Sequence, residues 1–146
     1  MFALPNSPRG ALETILVVDD DATIGQLVAT ILRRANFRVL SAGSGSAALA
    51  LVKGLGRIDL LLSDVDMPNL SGPDLGIAMK KTRPDLRVML MSGGPDGNLL
   101  VLNYGWAFIK KPFLPVKLVE MILEVLHSPD RSQMGGHEFD SRKDKT

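Results

Sequence analysis

The chain contains no cysteine. That excludes a disulfide framework and thiolate metal sites, and it fits a reducing compartment. It also lacks any marked charge excess: 17 Lys and Arg stand against 16 Asp and Glu, for a formal net charge of +1. No global electrostatic attraction to nucleic acid or membrane follows from such a balance. No apolar run approaches the roughly 18–20 residues that a membrane helix needs. Met1–Leu12 is interrupted by Pro5, Pro8 and Gly10 and has no apolar core of a signal peptide. There are two histidines, His127 and His137, without metal-ligand spacing between them, and both read as solvated. What is present is ordinary for one globular domain, with 45% hydrophobic and 23% charged residues over 146 positions. A chain of this size can bury a core without staples. The expected location is the cytoplasm, with no membrane partner.

Residues 1–12 read as a flexible leader and 128–146 as a polar tail too poor in apolar residues to offset ordering. Between them, Thr14–Val18 is continuously apolar and β-branched, which predicts a strand covered on both faces. Asp19, Asp20 and Asp21 end it. Ile24, Leu27, Val28, Ile31, Leu32 and Ala35 follow helical spacing, with Asp21 as N-cap. Phe37–Ala42 predicts a second strand and Ser46–Lys53 a second helix, ended near Gly54 and Gly56. Ile58–Ser63 predicts a third strand running into Asp64. Ser71 and Asp74 fit a capping box, with Pro73 in the first turn of a helix reaching Thr82. Leu86–Met91 predicts the fourth strand, residues 95–103 a short helix, Trp106–Lys110 the fifth strand, and Pro115–Leu126 a closing helix. Alternating strands and helices imply an α/β fold, an open, doubly wound, five-stranded parallel sheet.

In such a sheet the site lies beyond the carboxyl ends of the strands. Those ends carry Asp19 and Asp20, Asp64, Ser92 and Lys111. Neighbouring carboxylates repel by roughly 1–4 kcal/mol per pair at surface-like dielectric. A hard divalent cation relieves this, and Mg²⁺ takes oxygen ligands from one or two carboxylates while keeping waters. Asp20 and Asp64 are the direct ligands in this reading, Asp19 orients a metal-bound water, and the backbone carbonyl of Asp66 supplies another ligand. Asp64 is also the nucleophile, because a carboxylate can form an aspartyl phosphate. The Lys111 ammonium and the Ser92 hydroxyl then meet the phosphoryl oxygens.

Four segments carry a resemblance: ILVVDDD at Ile15–Asp21, LLLSDVDMPNLSG at Leu60–Gly72, VMLMSG at Val88–Gly93 and FIKKPF at Phe108–Phe113. Together with the intervals between them they resemble the response-regulator receiver family of two-component signalling, across residues 13–127. The resemblance implies a flavodoxin-like (βα)5 fold with strand order 2-1-3-4-5. It implies Asp64 as phosphoacceptor, Asp19 and Asp20 as the acidic pair, Lys111 as the invariant lysine and Mg²⁺ as cofactor. It implies Ser92 and Phe108 as switch residues and a cis Lys111–Pro112 bond, which an X-Pro bond tolerates. It further implies a histidine kinase or phosphotransfer protein as partner, an unidentified downstream protein, and a switch rather than an enzyme. The segment from Ser92 to Phe108 is shorter than usual in that family, which leaves homodimer geometry open. The run GWAFIKKPF is similar to receivers attached to hybrid kinases, and with no effector after Leu126 a stand-alone module without DNA binding is expected.

Other readings remain. A degenerate receiver would bind partners without phosphorylation. Asp64-Val65-Asp66 resembles the D-x-D of haloacid-dehalogenase-type phosphatases, but it follows the third strand rather than the first. A flavin-binding module would need a phosphate cradle where the three acids stand. Lys80, Lys81 and Arg83 read as the solvated end of a helix. The methionines read as core filler, and Trp106 as a packing residue or part of a partner face.

Overall fold

The computed structural model describes residues 12–94 and 104–128. Five strands form one parallel sheet: β1 (Thr14–Val18), β2 (Arg38–Ala42), β3 (Leu60–Asp64), β4 (Arg87–Ser92) and β5 (Ala107–Lys110). Their order is β2-β1-β3-β4-β5, the doubly wound order with the site-forming crevice at its switch point. The leader, the tail and the short helix expected over 95–103 lie outside the described residues. Among the described residues four helices accompany the sheet: α1 (Ala22–Arg34), α2 (Gly45–Val52), α3 (Gly72–Thr82) and α4 (Pro115–His127).

The continuous apolar runs are explained by two cores, one on each sheet face. Ile15 and Val17 of β1, Leu60 and Leu62 of β3, and Met89 and Met91 of β4 pack with Val28 and Leu32 of α1 and with Leu118 and Ile122 of α4. The alternate residues Leu16, Val18, Leu61, Val88 and Leu90 pack with Ala48 and Val52 of α2 and Leu75 and Met79 of α3. Every residue of β1 and β3 is buried, whereas the edge strands β2 and β5 are mixed. Each fully buried Leu or Met contributes about 1.5–3 kcal/mol relative to exposure.

Local signals set the helix starts. Asp21 caps α1 by accepting from the amides of Thr23 and Ile24 at 2.9 and 3.2 Å. Ser71 caps α3 by accepting from the Asp74 amide at 3.2 Å. β3 extends one residue beyond the expected Ser63, because Asp64 pairs in register with Met91.

Two expectations are corrected. Arg83 is not a solvated helix end: its guanidinium donates to the carbonyls of Val52, Leu55 and Gly56, closing the C-terminal end of α2. Lys80 likewise donates to the carbonyls of Pro84 and Leu86. Both satisfy helix-end and turn carbonyls that would otherwise need water. His127 is exposed, as expected, and its Nε2 lies 3.1 Å from Glu13 Oε2.

Candidate functional site

The register of the parallel sheet aligns the carboxyl ends of β1, β3, β4 and β5 on one rim. The first residue past β1 is Asp19, and its neighbour is Asp20. Asp64 closes β3, Ser92 closes β4, and Lys111 follows β5. Oxygens of Asp19, Asp20 and Asp64 lie within 4.8 Å of one another.

Lys111 joins this cluster from the far strand. Its Nζ donates to Asp19 Oδ2 and to Asp64 Oδ1, each at 3.1 Å. The Lys111 amide donates to the Ser92 carbonyl at 2.8 Å, which anchors the lysine to the end of β4. The Lys111–Pro112 peptide is cis.

The carboxylates differ in commitment. Asp19 is 3% exposed. Its Oδ1 accepts from the Asp21 amide at 2.9 Å and its Oδ2 from Lys111. Asp20 is exposed at the mouth. Asp64 is 9% exposed and forms the floor. Burial pushes the Asp64 carboxyl above its ordinary value, the Lys111 hydrogen bond and charge oppose that, and Asp19 and Asp20 reinforce it. For Lys111 burial works against the ammonium, yet its hydrogen bonds and attraction to Asp19 and Asp64 outweigh this and raise its pKa.

Ser92 is 2% exposed, and its Oγ accepts from the Gly94 amide at 3.2 Å. Asp66 is an exposed residue of the loop between β3 and α3. Phe108 is half-buried against the α2/α3-side core and pairs in register with Leu90. Trp106 is buried in the same core; it stacks on Tyr104, with ring centroids 4.9 Å apart, and lies over Gly76 of α3. It is thus a packing residue.

Two residues at the site were not singled out in the sequence. The buried Ser63 hydroxyl donates to the Asp64 carbonyl at 2.9 Å. The Gly72 backbone passes so close to that carbonyl that a Cβ would collide with it. A buried serine inside an otherwise apolar strand was the available signal for the first.

Three negative groups facing one ammonium, all with hard oxygen donors, suit a divalent cation of the Mg²⁺ class. The family profile described as "Response regulator receiver domain" matches residues 15–123. The sensor kinase CckA of Brucella abortus (strain 2308) is 31% identical over 121 residues, covering 80% of this chain and 13% of that protein. The DNA-binding transcriptional regulator NtrC of Azospirillum brasilense is 35% identical over 121 residues, covering 79% of this chain and 24% of that protein. The chain thus spans a quarter or less of the length of these two relatives. Among solved structures, the response regulator TrrA of Thermotoga maritima, in complex with Mg²⁺-BeF, is 25% identical with a TM-score of 0.71, covering 79% of this chain and 100% of that one.

Proposed function

The chain belongs to the response-regulator receiver family, and from that premise we propose that Asp64 accepts a phosphoryl group and thereby switches a partner-binding face. Receiver domains of two-component systems are phosphorylatable signalling switches rather than turnover enzymes. The observation that carries the assignment is Lys111 bridging Asp19 and Asp64 at 3.1 Å beside the exposed Asp20. The Mg²⁺-BeF complex of TrrA, a similar chain, supports the choice of metal.

Asp20 and Asp64 would hold Mg²⁺ directly, with Asp19 orienting a bound water and the Asp66 carbonyl as a further ligand. When bound, the ion would neutralise the carboxylates and the incoming phosphoryl oxygens. Asp64 attacks phosphorus through a carboxylate oxygen. The bond from phosphorus to the imidazole nitrogen of a histidine kinase or phosphotransfer protein breaks, and its electron pair leaves with that nitrogen. Lys111 and the Ser92 hydroxyl then meet the phosphoryl oxygens, and movement of Ser92 lets Phe108 repack. The differential contacts of the phosphoryl group with these residues set the switch. A cytoplasmic location fits this role, and among the described residues no helix is long and apolar enough to cross a membrane.

Intact mass after incubation with acetyl phosphate and Mg²⁺ tests the reading. Wild type should gain one phosphoryl mass and Asp64→Asn none. Equal labelling of the variant places the phosphoryl group elsewhere and rejects the assignment; no labelling of wild type rejects it and leaves the degenerate receiver as the alternative.

A further inference from the structure

The peptide that leaves Asp64 is held at both ends. Its carbonyl accepts from the Ser63 hydroxyl at 2.9 Å, and its N–H, on Val65, donates to the Met91 carbonyl at 2.9 Å. Ser63 is fully buried, so its hydroxyl pays a desolvation penalty that an apolar residue at this strand position would avoid. On another side of the same carbonyl lies Gly72. A Cβ built there would collide with the carbonyl oxygen and would stand 3.1 Å from Ser63 Oγ. Positive φ is found at Gly54 and Gly105 among the described glycines, not at Gly72. Gly72 is therefore needed for space and not for an unusual backbone conformation. Its amide donates to the Val65 carbonyl at 3.0 Å, closing the loop of residues 65–72 on itself.

We propose that Ser63 and Gly72 are positioning residues for the phosphoacceptor. Together they fix the rotation of the Asp64–Val65 peptide. That rotation sets the path of the loop carrying Asp66 and, through the Asp64 backbone, the direction of the carboxylate. The inference rests on the reading of Asp64 given above. Its physical basis is that a carboxylate serving as both ligand and nucleophile tolerates little displacement: a shift of about 1 Å can cost on the order of a hundredfold in rate. The hydroxyl acts through the backbone, so its loss should be felt at the site more than in the overall fold.

The test compares Ser63→Ala, Ser63→Thr and Gly72→Ala in the full chain, at a temperature where all are folded. Mg²⁺ affinity is measured by calorimetry on unphosphorylated protein, and labelling by acetyl phosphate is measured at saturating Mg²⁺. Ser63→Ala should bind Mg²⁺ several-fold more weakly and label on the order of tenfold more slowly. Ser63→Thr keeps the donor and should recover most of both, whereas Gly72→Ala should lose more than Ser63→Ala. Wild-type affinity and rate in Ser63→Ala overturn the proposal, and so do equal losses in the alanine and threonine variants. If wild type binds Mg²⁺ but is not labelled, the phosphoacceptor reading fails while the Mg²⁺ affinities still decide the role of Ser63.

Discussion

Asp64 sits where folding works against its own charge. Burial raises its pKa most, and the neighbouring Asp19 and Asp20 add to that against the opposing effect of Lys111. The native state therefore holds a proton on this carboxyl more tightly than the unfolded chain does. Such a group penalises the native state above its folded pKa and not below its unfolded value, here the ordinary 3.8. Without divalent cations, Asp64→Asn should thus melt at a higher temperature than wild type at neutral pH. The advantage should shrink as pH falls through the raised value towards 3.8, where the wild-type carboxyl becomes protonated. Melting curves of both proteins across that range check this, and a wild type more stable than the variant at neutral pH would mean that the Lys111 contact dominates. The members of this cluster were legible in the sequence because each ends an apolar strand, and parallel strands bring their carboxyl ends to one rim. The Ser63 and Arg83 contacts were not legible. A serine inside an apolar strand signals a bonded hydroxyl, but which carbonyl Ser63 or Arg83 meets depends on the backbone path, which residue type does not give.

At the scale of elements, α3 illustrates what a sequence pattern hides. Gly76 stands mid-helix, where alanine would be favoured by about 1 kcal/mol on intrinsic propensity. A Cβ at this position would lie 2.8 Å from Trp106 Cη2 and 3.3 Å from Val88 Cγ1. Overpacking of a filled core costs about 1–3 kcal/mol, so the steric term should win and Gly76→Ala should be destabilising. Combining it with Trp106→Leu should recover stability relative to the sum of the single changes, because the smaller side chain leaves room for the methyl. Denaturant titrations of the four proteins in this cycle measure the coupling; simple additivity would show that the helix backbone yields instead. The strands were readable from their apolar runs, but a strand buried on both faces has no alternation of polarity. Ile15 facing α1 and α4 while Leu16 faces α2 and α3 is therefore information that only the assembled sheet contains. The helix starts at Asp21 and Ser71 were readable, since capping is a local interaction.

The two ends of the sheet differ in how their charges are resolved. At the amino ends of the strands, Arg57 pairs with Asp59 at 2.6 Å, and the Thr14 amide donates to the same carboxylate at 2.8 Å. Arg87 donates to the Val125 carbonyl and His127 faces Glu13. The cavity there, of about 240 Å³, is lined by Glu13, Arg57, Asp59, Asp85, Arg87 and Leu126, a mixture of both signs. At the carboxyl ends three carboxylates face one ammonium, and the excess negative charge is concentrated over a buried floor. Divalent cation binding should therefore belong to the carboxyl rim, and it should stabilise the whole fold, because the unfolded chain offers no such cluster. A ligand present at a hundred times its dissociation constant adds about 2.7 kcal/mol. For a chain of this size each kcal/mol raises the melting temperature by roughly 2–4 °C, so saturating Mg²⁺ should raise it by roughly 5–10 °C. The Asp20→Asn/Asp64→Asn double variant removes the exposed and the floor carboxylate and should show almost none of this shift. An equal shift in that variant would place the ion elsewhere on the molecule.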